Sequence, residues 1–442
     1  MIDHPFAAAI TAALGPDPAP TVTLQAPARL PAHFDVTGLA LASMAAAAGE
    51  IGALSGAAEA VTLNARRALL WVGMALQPQG WAIPAPWDPI AGDYATADGW
   101  IRLHTNAPHH RAAALAVLGC APERAAVAEA VRGWSRDALE TAVVATGGAA
   151  AAMHDLARWA AHPQGAAVAA EPLIHWRQAA EAPARPLPLA GLRVLDLTRV
   201  LAGPVATRLL AGFGAEVLRI DPPDWSEPGV EPEVTLGKRL ARLDLRDNAD
   251  RATFAELIRS ADVLVHGYRP GALEGLGFGP EARRRLAPGL IEVTLDAYGW
   301  AGPWAGRRGF DSLVQMSCGI AAAGMAATGA ERPVPLPVQA LDHATGYLMA
   351  AAVGRALRVR AATGAVMSAR LSLARTAALL TGAGMTDAGG DWAPAGAADL
   401  APDIETTDWG PARRVGFPIT LGGAGPVWRH PAGPLGRDAA RW

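Results

Sequence analysis

Cysteine is almost missing from this chain: 442 residues contain two, Cys120 and Cys318. A secreted scaffold held by disulfides needs more, so a reducing cytoplasm is the expected setting. Charge is sparse as well. Charged residues make up 18%, the formal net charge is −3, and no long Lys or Arg run occurs. That excludes the electrostatic footprint of a nucleic-acid binder or a polybasic membrane-surface protein. Long apolar runs are also lacking. Met44–Ala48, Val143–Met153 and Leu313–Ala330 are short, weakly hydrophobic or interrupted by polar residues. A membrane span needs ~20 predominantly apolar residues, so these stretches read as packed helices or loops. The opening MIDHPFAAAITAALG has no positive region of the kind that starts a signal peptide.

What remains is a globular composition. Apolar residues are 51%, much of it alanine, and the length suits two or three domains. The Pro-rich EAPARPLP at 181–188 reads as a linker. Beyond it, short apolar strands at Leu192–Thr198, Ala215–Ile220, Asp262–His266 and Leu290–Leu295 alternate with helices. This order predicts a doubly wound, Rossmann-like parallel sheet, an α/β fold. Its ligands would sit at the strands' carboxyl ends, which carry Thr198, Arg199, Asp221, Arg269 and Asp296. No GxGxxG follows the first of these strands, which disfavours a dinucleotide site. Residues 1–88 read as helical and Ala-rich, 89–180 as a small α+β unit, 189–380 as the large sheet domain with a long Asp342–Arg360 helix, and 381–442 as a return segment. A faint echo links Asp35–Leu54 to Asp342–Leu357 and Val61–Leu70 to Leu371–Leu380, which points to a partial duplication.

Several blocks occur in an order that is informative as a set: PLAGLRVLDLTRVLAGP at 188–204, GAEVLRIDPP at 214–223, GKRLARLDL at 237–245, ADVLVHGYRPGALEGLG at 261–277, GFDSLVQ at 309–315 and DHATG at 342–346. Together they resemble the class III coenzyme A transferases, a family that includes formyl-CoA and carnitine-CoA transferases and α-methylacyl-CoA racemases. The resemblance implies that family's fold, with a Rossmann-like domain and a smaller α+β domain. It implies a bacterial acyl-CoA transferase with acyl-CoA and a carboxylic acid as substrates, and no cofactor, coenzyme A itself being a substrate. It implies a homodimer, or a monomer should the two half-copies interlock within one chain. The domain order departs from the family's, because the small unit precedes the sheet domain, so the chain reads as permuted or partly duplicated.

The resemblance places the nucleophile on Asp342. A carboxylate can attack a thioester, form a mixed anhydride and release the thiolate, provided it is held in place and kept dry. Asp at a helix start is more commonly an N-cap, and spacing alone would favour that role for Asp342. Asp35, at the matching point of the partial copy, reads as a vestigial or capping residue. Lys238, Arg239 and Arg269 are the phosphate candidates. Gly203 at a helix start and Asp221 at a strand end complete the expected nucleotide site. Leu201, Phe310, Asp311 and Gln315 are the expected substrate-pocket residues. Leu201 stands where formyl-CoA transferases carry Gln, and Gly275 where many members carry Arg. Phe310 stands where racemases carry a catalytic His, and phenylalanine cannot move a proton. A racemase is therefore disfavoured, and a non-catalytic CoA-ester-binding paralogue or partner subunit is the other alternative. His104, His109 and His110 lack the ligand partners of a zinc site, so no metal is expected.

Overall fold

The computed structural model describes residues 4–17, 19–56, 60–390 and 392–442. Residues 1–3, 18 and 57–59 of the stretch read as a helical partial copy lie outside these.

The elements that position the site are, in chain order, α1 (Val36–Ser55), β1 (His175–Glu181), β2 (Arg193–Leu197), α2 (Ala202–Gly212), β3 (Glu216–Asp221), β4 (Lys238–Arg242), α3 (Asn248–Ser260), β5 (Val263–His266), β6 (Ile291–Asp296), α4 (Asp311–Ser317), α5 (Ala340–Thr363), β7 (Ala365–Ser372) and α6 (Leu373–Gly382). The strands form one seven-stranded sheet in the order β4-β3-β2-β5-β6-β7-β1. Every pairing in it is parallel except β1 against β7. The fold is thus the mixed α/β class that the strand–helix alternation predicts. In β5 all four residues, VLVH, are buried, as expected of a central strand covered on both faces.

Two features depart from the expectations. The stretch read as the small unit to residue 180 ends in β1, an edge strand of the large sheet. Its sequence HWRQAAE is largely exposed and carries no apolar alternation to mark it. The stretch read as helical contains strands Val22–Gln25 and Val61–Asn64, which pair in parallel. The C-terminal segment closes that small sheet, with Ile419–Leu421 antiparallel to Val61–Asn64. It also lays Gly410–Arg414 against Leu76–Pro78.

α1 is long and apolar enough to cross a membrane by length and composition. Here it is mostly buried, packed along α5. The two helices approach closely, since a Cβ on Gly354 would stand 2.7 Å from the Glu50 Cβ. Glu50 is fully buried and meets Arg355 at 2.7 Å and Arg358 at 2.9 Å. The halves also share local grammar. α1 ends at Gly56 with φ 71°, α5 at Gly364 with φ 79°. Each then enters a strand, and the helix after it is capped by Asn64 in one half and Ser372 in the other.

Candidate active site

Asp342 is the third residue of α5, whose cap position is held by Gln339 with no side-chain capping bond. The N-cap reading therefore does not apply to Asp342. Its backbone N–H donates to Asp311 Oδ2 at 2.9 Å. Asp311 is held in turn by Gln315 Nε2 at 2.5 Å, and Gln315 Oε1 accepts the Leu336 N–H at 2.7 Å. These bonds fix the first turn of α5 against α4. The Asp342 side chain is buried at 7% exposure, and no hydrogen-bond or ion-pair partner of its carboxylate occurs among the described residues. Burial first, and the Asp311 carboxylate second, push the Asp342 pKa well above the usual carboxylate range. Burial likewise raises Asp311.

Two cavities meet at Asp342. One, of about 370 Å³, lies over the carboxyl ends of the strands, between Thr198, Gly267 and Asp296. The other, of about 470 Å³, opens toward the small unit and is walled by Met74, Trp87, Trp225 and Val338. Val200, Leu201, Trp225 and Phe310 line both. Val200 has φ 64°, a left-handed conformation that a β-branched side chain rarely adopts. Its N–H donates to Glu227 Oε2 at 2.9 Å, which holds the strained turn in place.

The strand-end cavity is cationic. Arg199 lies over the rings of Trp225 and Tyr268. Arg269 is exposed and Arg308 half-buried, and neither forms an ion pair among the described residues. Burial and the nearby Arg269 charge lower the Arg308 pKa. His109 is lowered by burial, then by Arg308, Arg199 and Arg269. Arg199, Arg269, Arg307 and Arg308 share this lining with the carboxyls of Asp296 and Asp342, and guanidinium groups are natural partners of anions.

Phe310 is sandwiched by small-unit histidines. His104 stacks on it at 3.7 Å between ring centroids, and His110 meets it edge-on at 5.9 Å. Burial pushes both imidazoles down to about 3, so both are neutral. No grouping of three His, Cys, Asp or Glu suited to a metal occurs among the described residues.

The expected pocket residues Leu201, Phe310 and Asp311 line the cavities beside Asp342, and Gln315 stands behind Asp311 as its support. Arg269 and Gly203 line the strand-end cavity. Gly203 also answers to packing, because a Cβ there would come within 2.3 Å of the Thr198 side chain. Three nucleotide-site expectations are overturned. Lys238 is fully buried, with Nζ on Asp196 Oδ2 at 3.0 Å and on the Pro204 carbonyl at 3.1 Å. Asp221 is fully buried and bidentate with Arg219, at 2.8 and 3.0 Å. Arg239 belongs to the edge strand, near Glu216 at 3.6 Å, and donates to the Arg441 carbonyl at 3.0 Å. The charges of Lys238 and Asp221 are consumed by buried partners, and Arg239 lines neither of the two cavities at Asp342. Asp35 is a true cap: Oδ1 accepts the Gly38 N–H at 2.8 Å and Oδ2 meets His4 Nε2 at 2.7 Å. The reading of the sequence missed Arg199 and Arg308 as anion contacts, although the strand-end rule already pointed at Arg199. Nothing local in the sequence marks Trp87 or Met74.

At the carboxyl ends of the sheet, an acidic residue thus stands at the meeting point of a cationic and an apolar cavity. The profile of CoA-transferase family III matches residues 189–405, just under half of the chain, so that segment is similar to the family. The acetyl-coenzyme A transferase nodX of Hypoxylon pulicicidum is 39% identical over 44% of this chain and 34% of its own length. The acetyl-CoA:oxalate CoA-transferase of Acetobacter aceti is 36% identical over 41% of this chain and 50% of its own. The crystal structure of the Mycobacterium tuberculosis protein Rv3272 is 30% identical, covering 46% of this chain and 59% of that one, with a TM-score of 0.39. The chain thus spans half or less of the length of these curated relatives.

Proposed function

We propose that this protein moves coenzyme A between an acyl-CoA and a carboxylic acid, with Asp342 as the covalent nucleophile. The observation that carries this reading is a buried carboxylate without a partner at the junction of two cavities. Cavities of about 370 and 470 Å³ fall within the ~300–1,000 Å³ of small-molecule sites. The cationic one suits coenzyme A phosphates, held by Arg199, Arg269 and Arg308. The apolar one suits the acyl chain and the incoming acid.

The chemistry runs in four exchanges. The Asp342 carboxylate attacks the thioester carbonyl, the C–S bond breaks, and a mixed anhydride and the CoA thiolate result. The thiolate then attacks the Asp342 carbonyl, expelling the first acid and leaving an aspartyl-CoA thioester. The acceptor carboxylate displaces that thiolate and forms a second anhydride. Attack of the thiolate on the acceptor's carbonyl yields the new acyl-CoA and restores Asp342. Burial keeps water from the anhydrides. His104 and Asn106 reach the Asp342 cavity from the small unit of the same chain, and Trp87 from just before it, which supports a site complete without a partner copy.

The test is trapping. Protein incubated with an acyl-CoA and hydroxylamine should yield a hydroxamate at Asp342, and Asp342→Ala should give none. Failure of every acyl-CoA to label Asp342 would favour a non-catalytic CoA-ester-binding role. A racemase stays disfavoured: His104 brings an imidazole into the Asp342 cavity beside Phe310, but burial holds it neutral with its pKa down to about 3, far from the value a proton carrier needs. Solvent deuterium entering the α-carbon of a 2-methylacyl-CoA would overturn this reading.

A further inference from the structure

The wall of the larger cavity bears on which acids the site accepts, given the transferase reading above. Among the described residues no Arg or Lys lines it, whereas Asp88, Glu227 and Glu233 do. Each of these carboxylates is already matched from behind. Asp88 accepts from Thr105 Oγ1 at 2.7 Å and the Ile90 N–H at 3.1 Å. Glu227 is paired with Arg219 and accepts from Trp225 Nε1 at 3.0 Å. Glu233 holds Arg208 at 2.6 Å and Arg414 at 3.1 Å. The cations that neutralise the wall therefore stand outside the cavity with their charge spent. Arg102 lies over the Trp87 ring at 4.9 Å and is likewise taken, by Asp93 at 2.7 Å. The two imidazoles on the wall, His104 and His343, are held neutral by burial and add no positive charge.

We infer that the acyl cavity selects monocarboxylic acids with an apolar chain and rejects short dicarboxylic acids. One carboxyl of either acid is consumed at Asp342. A second would be carried among apolar groups and like charges, losing its hydration with no cation to replace it. An alkyl chain instead gains burial against Met74, Trp87, Trp225 and Val338. Asn106 and the His104 edge leave room for a neutral polar substituent on that chain.

The experiment compares hexanoyl-CoA with adipyl-CoA, which have the same number of acyl carbons and differ by one terminal carboxylate. Binding is measured by calorimetry on Asp342→Asn, which cannot be acylated through the native carboxylate. The expected result is at least tenfold tighter binding of hexanoyl-CoA. Met74→Arg, which places a cation at the exposed lip, should narrow the ratio at least fivefold by improving adipyl-CoA binding. Equal or tighter binding of adipyl-CoA, or no binding of either ester, overturns the inference. Hydroxamate formation by the wild-type protein is scored separately. A hexanoyl preference without hydroxamate keeps the inference and sinks the transferase reading; hydroxamate with an adipyl preference does the reverse.

Discussion

Asp35 and Asp342 stand at the starts of two long, Ala-rich helices that pack against each other, end at left-handed glycines and run on into strands. Their carboxylates nonetheless have opposite surroundings. Asp35 is half-exposed, caps its helix and meets His4. Asp342 lies inside its first helical turn, is buried, has no partner for its carboxylate among the described residues, and faces two cavities. The difference arises from what surrounds each helix. A sheet of seven strands and the Asp311–Gln315 brace stand beside Asp342, while a sheet of three strands accompanies Asp35. A carboxylate already engaged as a cap is stabilising and unreactive; one left unpaired in a dry pocket costs stability and is available for chemistry.

That contrast can be broken most forcefully at the nucleophile. Asp342→Ala should lower transfer at least ~10³-fold with the circular dichroism spectrum unchanged, while Asp35→Ala should leave turnover within about twofold, the order of variation of a surface change. Equal losses from the two would erase the distinction. The next largest effect concerns the joint between the halves. Glu50→Ala removes the buried carboxylate from Arg355 and Arg358, which keep the exposed Asp17, and should destabilise by about 3 kcal/mol in denaturant titration. Arg269→Ala and Arg308→Ala should each raise the KM for acyl-CoA about tenfold, the worth of one charge-assisted phosphate contact. Steady-state kinetics would register this as a KM effect with kcat largely kept.

Smaller again is the pH effect. Asp342 must be ionised to attack, and burial with the Asp311 charge keeps its proton on above the ordinary carboxylate range. The rate should therefore climb with pH through that raised value. Asp311→Asn removes the like charge, keeps an acceptor for the Asp342 N–H, and should move the acid limb of kcat/KM to lower pH. The smallest effect is at the cap. Asp35→Ala should cost ~1 kcal/mol, seen as a small fall in Tm.

The large sheet was legible because its central strands are short apolar runs bounded by turns. Leu192–Thr198 and Ala215–Ile220 fall within a residue of β2 and β3. β1 was not, because an exposed edge strand written HWRQAAE needs no apolar alternation. Asp342, Phe310 and Leu201 were placed through the resemblance to the family, and spacing alone would have left Asp342 a cap. Lys238 and Asp221 were misassigned for a physical reason. Whether a charge faces a ligand or a buried partner depends on contacts far along the chain, such as Lys238 with Asp196, and no local pattern records them. The cavity wall formed by Met74 and Trp87 depends on how the end of the 1–88 stretch packs beside the start of α5, which a one-dimensional reading does not contain.

The most direct test follows an oxygen atom. Turnover with an acceptor acid labelled with ¹⁸O in both carboxyl oxygens should leave heavy oxygen in Asp342, because the second anhydride breaks on the acceptor's side when the thiolate re-adds. Peptide mass spectrometry should find the label in the peptide carrying Asp342 and none in the peptide carrying Asp35. Turnover that leaves Asp342 unlabelled would contradict the account.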